Sequence, residues 1–379
     1  MKHNNEPEMT AMSVNPEYIT YMQHAIQLAK KGIYSTRPNP NVGCVIVKDG
    51  EVIGQGFHPR AGQPHAEVFA LREAGEQAKG ATAFVTLEPC AHYGRTPPCA
   101  KALIDAQVKR VVIACLDPNP LVAGKGVALL QDAGIEVITG VCTEQATALN
   151  LGFLKAMATK MPYVRLKVAS SLDGRTAMQS GESKWITGEQ SRLQVQHWRA
   201  ISGAVITGIN TVIADDCQLN VRELRDEQQQ PIDIQHIVQP KRIILDRQGR
   251  LPLTAKILNQ PNDVIVVGKY RPELAELGVV QLADQPLKQL LQTLCQDFQI
   301  YDVMVEAGAT LATAFLQAQL VDEVIHYIAP CLLGSSARAM FGADLQKMSE
   351  KYQLQIKQYQ QVGQDLCVQL IPIYQEPVQ

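Results

Sequence analysis

Between residues 65 and 99 the chain sets His65, Glu67, Cys90 and Cys99 in an order that few folds can satisfy. The run reads His65-Ala66-Glu67, then an apolar stretch, then Thr86-Leu87-Glu88-Pro89-Cys90, and finally Thr96-Pro97-Pro98-Cys99. One imidazole and two thiolates form a nitrogen and sulfur donor set that suits zinc. Three protein ligands leave a fourth tetrahedral position open to water, as in a catalytic site. Glu67 is poorly placed to be a ligand but can reach a water on the metal. A closed structural zinc site is the rival reading. It needs a fourth ligand, for which His92, Cys44 and Cys115 are the candidates.

The local pattern supports convergence of these residues. Pro64 followed by apolar Val68, Ala70 and Leu71 predicts a helix starting at His65, with His65 and Glu67 in its first turn, where backbone N–H groups are unpaired. Residues 81–87 read as a short buried strand. Pro97-Pro98 stops regular structure, and the next helix opens at Cys99, where the helix dipole favours a thiolate.

The chain of 379 residues is long enough for two domains. Residues 1–14 are polar and read as a flexible tail without a signal-peptide core. Asn15-Pro16 is a helix cap and first-turn proline. Strand 42–48, the Asp49-Gly50 turn and strand 51–57 form a hairpin. Strands at 109–115 and 135–138, a helix opening at Gly124 and a helical pattern over 143–160 complete a layered α/β domain over 15–160. Lys160-Met161-Pro162 marks the boundary. A second α/β domain over 161–379 has strands expected at 163–169, 204–208, 242–245, 264–267, 302–305, 323–328 and 366–371. It also has a turn at 170–174, a capping box of Thr187 and Gln190, and an exposed Gln-rich loop at 225–239.

Composition excludes several function classes. A net charge of −2 without a Lys/Arg-rich tract argues against a nucleic-acid footprint. No apolar run reaches transmembrane length. Nine scattered cysteines fit a reduced cytoplasm better than a disulfide framework. There is no G-x-G-x-x-G and no Walker A sequence. Residues 305–311, Val-Glu-Ala-Gly-Ala-Thr-Leu, run from strand to helix through small residues. They read equally as a phosphate cradle and as a plain tight turn.

Two sets of motifs then make the chain recognisable. The first is Arg37-Pro38-Asn39-Pro40-Asn41-Val42-Gly43, His65-Ala66-Glu67 and Glu88-Pro89-Cys90 through Cys99. The second is Ser171-Leu172-Asp173-Gly174-Arg175, Ser183-Lys184-Trp185-Ile186-Thr187, Thr211-Val212-Ile213-Ala214-Asp215-Asp216 and Glu306-Ala307-Gly308. In this order, and with the long gap between Cys90 and Cys99, the chain resembles the bifunctional riboflavin-biosynthesis deaminase/reductases over all but the tail. Cytidine and tRNA adenosine deaminases usually have only two residues between these cysteines.

The resemblance implies a cytidine-deaminase-like domain followed by a dihydrofolate-reductase-like domain, together a hydrolase and an oxidoreductase. In the first, His65, Cys90 and Cys99 would bind zinc and Glu67 would move the proton as a phosphorylated ribosylaminopyrimidine loses an amino group as ammonia. Asn39, His58, His92 and Arg95 match positions lining that pocket. The second would use NADPH to reduce the ribosyl group to ribityl by hydride transfer to C1′. Ala169, Trp185, Thr211, Asp215 and the run Gly308, Ala309, Thr310, Leu311, Ala312, Thr313, Ala314 match cofactor contacts. Ser183, Arg199, Leu219, Arg222 and Glu306 match substrate contacts, the two arginines as phosphate clamps, and Lys167 is a further polar candidate. Cys217, Asn220 and Ala307 depart from the family's usual Pro, Thr and Gly, and the thiol at Cys217 adds an expected oxidation liability. A cytoplasmic homodimer with a small-molecule substrate, no nucleic acid and no membrane partner is expected. The competing readings are a nucleic-acid-editing deaminase, which requires a basic groove, and a non-catalytic zinc protein, for which Glu67 is dispensable.

Overall fold

The structure, a computed structural model, describes residues 15–91, 98–119, 122–226 and 228–374. The expected tail, 1–14, lies outside the described residues. The chain divides into two compact units, one running to Thr36 and resuming over Pro40–Asn150, the other made of Arg37–Asn39 and Leu151 onward.

The first unit contains α1 (Pro16–Lys30), β1 (Gly43–Lys48), β2 (Glu51–Phe57), α2 (Ala66–Ala74), β3 (Thr82–Val85), α3 (Cys99–Asp105), β4 (Arg110–Ile113), α4 (Lys125–Asp132), β5 (Glu136–Thr139) and α5 (Thr143–Ala148). Asn15 caps α1 by accepting from the Glu17 N–H at 3.0 Å. Asp49 and Gly50 have φ of 51° and 84°, as a type I′ hairpin requires. The sheet order is β2-β1-β3-β4-β5, antiparallel around β1 and parallel from β3 to β5. Alternate residues bury on opposite faces. Cys44, Ile46, Val85 and Ile113 pack with Ala66, Ala70, Leu103 and Leu130, whereas Val45, Val47, Phe84 and Val112 pack with Met22, Ala25 and Ile26. Burial on both faces explains why these strands read as unbroken apolar runs.

Helix α2 approaches β2 through missing side chains. A Cβ on Gly54 would come within 2.2 Å of the Ala70 carbonyl oxygen, and one on Gly56 within 2.5 Å of that of Ala66. Gly56 therefore fixes the height of the turn that carries His65 and Glu67.

The helical pattern expected over 143–160 is met by two helices, Thr143–Ala148 and Leu151–Thr159. The Asn150 side chain accepts from the Asn41 N–H at 2.7 Å and donates to the Asn41 carbonyl at 2.9 Å. Asn41 Nδ2 in turn donates to the Leu149 carbonyl at 2.9 Å. These bonds take up backbone and amide groups where the helix stops. The chain enters the second unit there, and α6 (Leu151–Thr159) packs on that unit's sheet.

The second unit continues with β6 (Tyr163–Ser171), β7 (Arg175–Ala177), α7 (Glu189–Ile201), β8 (Ala204–Gly208), α8 (Ile209–Asp215), β9 (Lys241–Asp246), β10 (Val264–Gly268), α9 (Pro272–Glu276), β11 (Val280–Leu282), α10 (Leu287–Gln296), β12 (Asp302–Glu306), α11 (Ala309–Gln317), β13 (Glu323–Ala329), β14 (Arg338–Ala339), β15 (Gln353–Val362) and β16 (Asp365–Ile373). The main sheet runs β11-β10-β9-β8-β12-β6-β13-β16-β15, parallel from β11 to β13 and closed by an antiparallel hairpin. One face buries Leu166, Ile206, Ile243, Val303 and Val305 against Leu290, Leu291, Leu294 and Phe315. Each such side chain contributes about 1.5–3 kcal/mol on leaving water.

Three expectations are corrected here. β6 extends through Ser171, so the expected turn at 170–174 begins only at Leu172. Thr187 and Gln190 form no capping box. The N-cap of α7 is Gly188, and Asp365 serves instead, accepting from the Gly188 N–H at 2.7 Å and the Ser191 hydroxyl at 2.5 Å. β15, Gln-rich and exposed along most of its length, was not among the expected strands because it lacks an apolar period. Among the described residues no helix is long and apolar enough to cross a membrane.

Gly56→Ala should lower the unfolding free energy of the first unit by about 1–3 kcal/mol, the usual cost of overpacking. Denaturant titration checks this, and an unchanged midpoint would contradict the close contact.

Candidate active sites

In the first unit two helix starts meet one strand end. His65 is the N-cap of α2 and Cys99 the first residue of α3, with Pro98 as its N-cap. Cys90 follows β3. His65 Nδ1 lies 3.3 Å from Cys99 Sγ and 3.8 Å from Cys90 Sγ, and the three donor atoms all fall within 4.8 Å of one another. The Cys99 N–H donates to Cys90 Sγ at 3.3 Å, and the Ala100 N–H donates to the Cys90 carbonyl at 3.2 Å. The Cys99 thiol and the His65 ring hold Cys90 well below the ordinary thiol range, while the Cys90 sulfur and burial push Cys99 up. One imidazole and two sulfurs this close suit a single tetrahedral zinc, whose bonds to nitrogen and sulfur run about 2.0–2.3 Å.

Glu67 lies in the first turn of α2 and is only 3 % exposed. Its Oε2 has no hydrogen-bond partner among the described residues. Burial first, then the Cys90 sulfur, raise its pKa above the ordinary carboxylate range. A buried carboxylate oxygen without a partner is costly unless something polar occupies the space before it. Beside a three-ligand set, a water is what fits.

The proposed fourth ligands Cys44 and Cys115 are not part of the donor group. Cys44 sits in the core of β1, where burial pushes its thiol well up, and Cys115 donates to the Leu116 carbonyl at 3.3 Å. His58 is brought to the cluster, its ring meeting that of His65 edge-on at 5.3 Å. A carbonyl can only accept, so the 3.0 Å contact of His58 Nδ1 with the Pro64 oxygen places the ring proton on Nδ1. Asn39 belongs to the 37–39 segment grouped with the second unit. His92 and Arg95 lie outside the described residues.

In the second unit the parallel register sets Glu306 of β12 beside Lys167 of β6. Arg199 of α7 reaches Glu306 with both ends of its guanidinium fork, Nε to Oε1 at 2.6 Å and Nη2 to Oε2 at 2.9 Å. Burial alone would raise the Glu306 pKa, but Arg199, Lys167 and Arg222 together bring it below the usual value. Burial lowers the Lys167 pKa. The loop after α8 closes the cluster. Asp216 and Leu219 are both left-handed, with φ of 44° and 54°, a strained choice for a leucine. Lys256 anchors Asp216 through its backbone N–H and its ammonium, both at 2.9 Å, and Gln239 pairs with both backbone groups of Val221. Asn220 Oδ1 is buried without a partner among the described residues, and the Arg222 N–H donates to Gln196 Oε1 at 3.1 Å.

Arg199, Arg222 and Glu306 thus come together, with Lys167 among them, whereas the Leu219 side chain is buried in the apolar cluster with Val205, Ile209 and Val212. Ala169 lies two residues along β6 from Lys167, on the same face. Trp185 is 71 % exposed, with the Arg192 guanidinium 4.4 Å from its ring centre, and Ser183 lies on the same loop. Thr211 and Asp215 lie on α8. Gly308 caps α11 with open space at its Cβ position, so Ala309, Thr310 and Leu311 form the helix start and Ala314 lies a turn on. Ala312 is fully buried core, and Thr313 Oγ1 is taken by the Gly342 N–H at 2.8 Å. Burial, Glu306 and Asp215 push the Cys217 thiol up to about 12, opposite to the direction of an activated thiolate. Residue spacing missed Gln196, Gln239 and Lys256, which hold the 216–222 loop from elsewhere in the chain.

Arg199→Met would strand a buried carboxylate and should cost the second unit about 3 kcal/mol. Because the folded Glu306 pKa lies below its unfolded value, the stability it contributes is present above the ordinary carboxylate range and is lost as pH falls through the folded pKa. The gap between wild type and variant should therefore narrow in acid. Denaturation midpoints at pH 7 and pH 4 test it, and a gap that widens would refute it.

Comparison with known proteins agrees with the two-unit reading. Residues 16–115 match the cytidine and deoxycytidylate deaminase zinc-binding region, and residues 162–368 match the RibD C-terminal domain. The riboflavin biosynthesis protein RibD of Escherichia coli K12 is 50 % identical over 361 residues, covering 93 % of this chain and 98 % of that one. The structure of Acinetobacter baumannii RibD, form 1, is 68 % identical and superposes with a TM-score of 0.92, covering 94 % of this chain and 99 % of that one. A Thermotoga maritima diaminohydroxyphosphoribosylaminopyrimidine deaminase/5-amino-6-(5-phosphoribosylamino)uracil reductase is 36 % identical with a TM-score of 0.83, covering 94 % and 99 %. With a cluster of deaminase type in one unit and a reductase sheet in the other, the chain belongs to the RibD family of bifunctional riboflavin-biosynthesis deaminase/reductases.

Proposed function

We propose that the first unit hydrolytically deaminates 2,5-diamino-6-(5-phosphoribosylamino)pyrimidin-4(3H)-one, and that the second reduces the ribosyl group of the product to ribityl. The observation that carries the first half is a compact His65, Cys90 and Cys99 donor set facing the unpartnered Oε2 of buried Glu67. Those three side chains would hold zinc, which when bound supplies the Lewis acidity that makes water nucleophilic near neutral pH. Glu67 takes a proton from the attacking water and returns it to the departing amino group, so that water enters and ammonia leaves. Its raised pKa suits a group that must both accept and release a proton. His58, Asn39, His92 and Arg95 would hold the pyrimidine and its phosphate.

In the second unit NADPH would supply a hydride to C1′ of the sugar. Ala169, Trp185, Thr211, Asp215 and the helix start at 308–311, with Ala314 a turn on, would hold the cofactor, while Ser183, Leu219, Arg222, Arg199 and Glu306 orient the substrate. Arg199 spends its fork on Glu306, so Arg222, exposed on the strained loop, is the better phosphate clamp. All nine cysteines are free, which supports a reducing, cytoplasmic location. We extend the same proposal to a homodimer, and light scattering that returns the mass of a single chain would overturn that part.

Glu67→Gln should lower ammonia release by about 10²–10⁴-fold, the usual contribution of a positioned acid/base. NADPH oxidation with the deaminated intermediate should stay at wild-type rate. If both activities fall together, the division into two sites is wrong.

A further inference from the structure

Glu88 stands two residues before Cys90 and is 4 % exposed, yet it is not part of the donor set. Its carboxylate is turned the other way. Oε2 accepts from the backbone N–H groups of Asp117 and Gly124, both at 3.2 Å, and Oε1 from those of Gly126 at 3.0 Å and Val127 at 3.3 Å. Four backbone donors from the loop after β4 and the first turn of α4 thus converge on one buried carboxylate. Helix α4 needs this. Its N-cap, Gly124, is left-handed and offers no side-chain cap, so the first N–H groups of the helix would otherwise be buried unpaired. The ligand strand fits against α4 so closely that a Cβ on Gly126 would come within 2.1 Å of the Pro89 carbonyl oxygen. The Glu88 N–H also donates to the Cys115 carbonyl at 2.9 Å, tying the same residue to the end of β4.

We propose that Glu88 is the positioning residue of the metal centre: by clamping the start of α4 it fixes Pro89-Cys90 at the height where the Cys90 sulfur meets His65 and Cys99. The inference rests on the zinc reading given above and adds to it the source of Cys90's placement. His65 and Cys99 are held by the helices they start. Cys90 has no helix of its own, and the Glu88 clamp takes that part. Carboxamide substitution keeps the shape but turns one acceptor into an NH₂ group facing backbone N–H donors, so the strand moves while the three ligands remain in the sequence.

The test uses the full-length protein purified with zinc. Zinc transfer to a chromophoric chelator is followed for wild type, Glu88→Gln, Glu88→Asp and Leu130→Ala, the last thinning the buried face of the same helix without touching the clamp. Loss of a residue that orients a ligand typically weakens metal binding by about 10- to 100-fold. Glu88→Gln should release zinc faster by that factor, Glu88→Asp by less because it keeps the charge, and Leu130→Ala at the wild-type rate. Ammonia release should fall with zinc retention, while NADPH oxidation with the deaminated intermediate holds. Wild-type release rates in either folded Glu88 variant overturn the proposal, as does equal acceleration by Leu130→Ala, which would make the effect one of general stability. If Glu88→Gln does not fold, Glu88→Asp decides. Absence of zinc from the wild-type protein would instead sink the zinc reading itself.

Discussion

The deaminase half depends on how buried negative charge is met by backbone N–H groups. Two cysteine sulfurs and a carboxylate gathered in an apolar interior disfavour one another's negative charge and lose their hydration. Here each is brought to a helix start or a turn, where N–H groups have no partner within the helix. His65 and Cys99 open α2 and α3, the Cys99 N–H lies on the Cys90 sulfur, and Glu88 gathers four N–H groups at α4. Two helix starts therefore meet at the donor set, while the start of α4 is met separately by Glu88 on the other side of the Cys90 segment. A cation placed there completes the charge balance instead of creating it.

The reductase half solves a similar problem with side chains. Arg199 and Lys167 face Glu306 in a buried cluster, and a strained loop closes over it. Strain of about 1–3 kcal/mol per unusual backbone geometry is tolerated only where the surroundings enforce it. Gln239, Lys256 and Gln196 enforce it here. A cluster with two cations and one carboxylate keeps spare positive charge, which suits a phosphorylated substrate.

Much of this was legible in the residues themselves. The helix start at His65, the strand before Cys90 and the helix start at Cys99 follow from proline placement and apolar runs, and all three occur where expected. The candidate donor set was legible because thiol and imidazole at that spacing have few other uses. What could not be read are the interactions whose partners lie far apart in the chain. The cap of α7 comes from Asp365, so a local capping box at Thr187 was a reasonable but wrong inference. The break at Asn150 needs Asn41, and β15 hides in a polar, Gln-rich stretch. Glu88 was in plain view within its motif, but nothing local says which way its carboxylate turns.

The strand order of the second sheet has a consequence for synthesis on the ribosome. β6 is the first strand of its sheet in the chain, yet its two neighbours are β12 and β13, made more than a hundred residues later. The first unit can close as soon as residue 150 has left the exit tunnel. β6, carrying Lys167, must wait with both hydrogen-bonding edges bare until the segment beyond 302 emerges. During that interval its apolar faces are the part of the nascent polypeptide most in need of a chaperone.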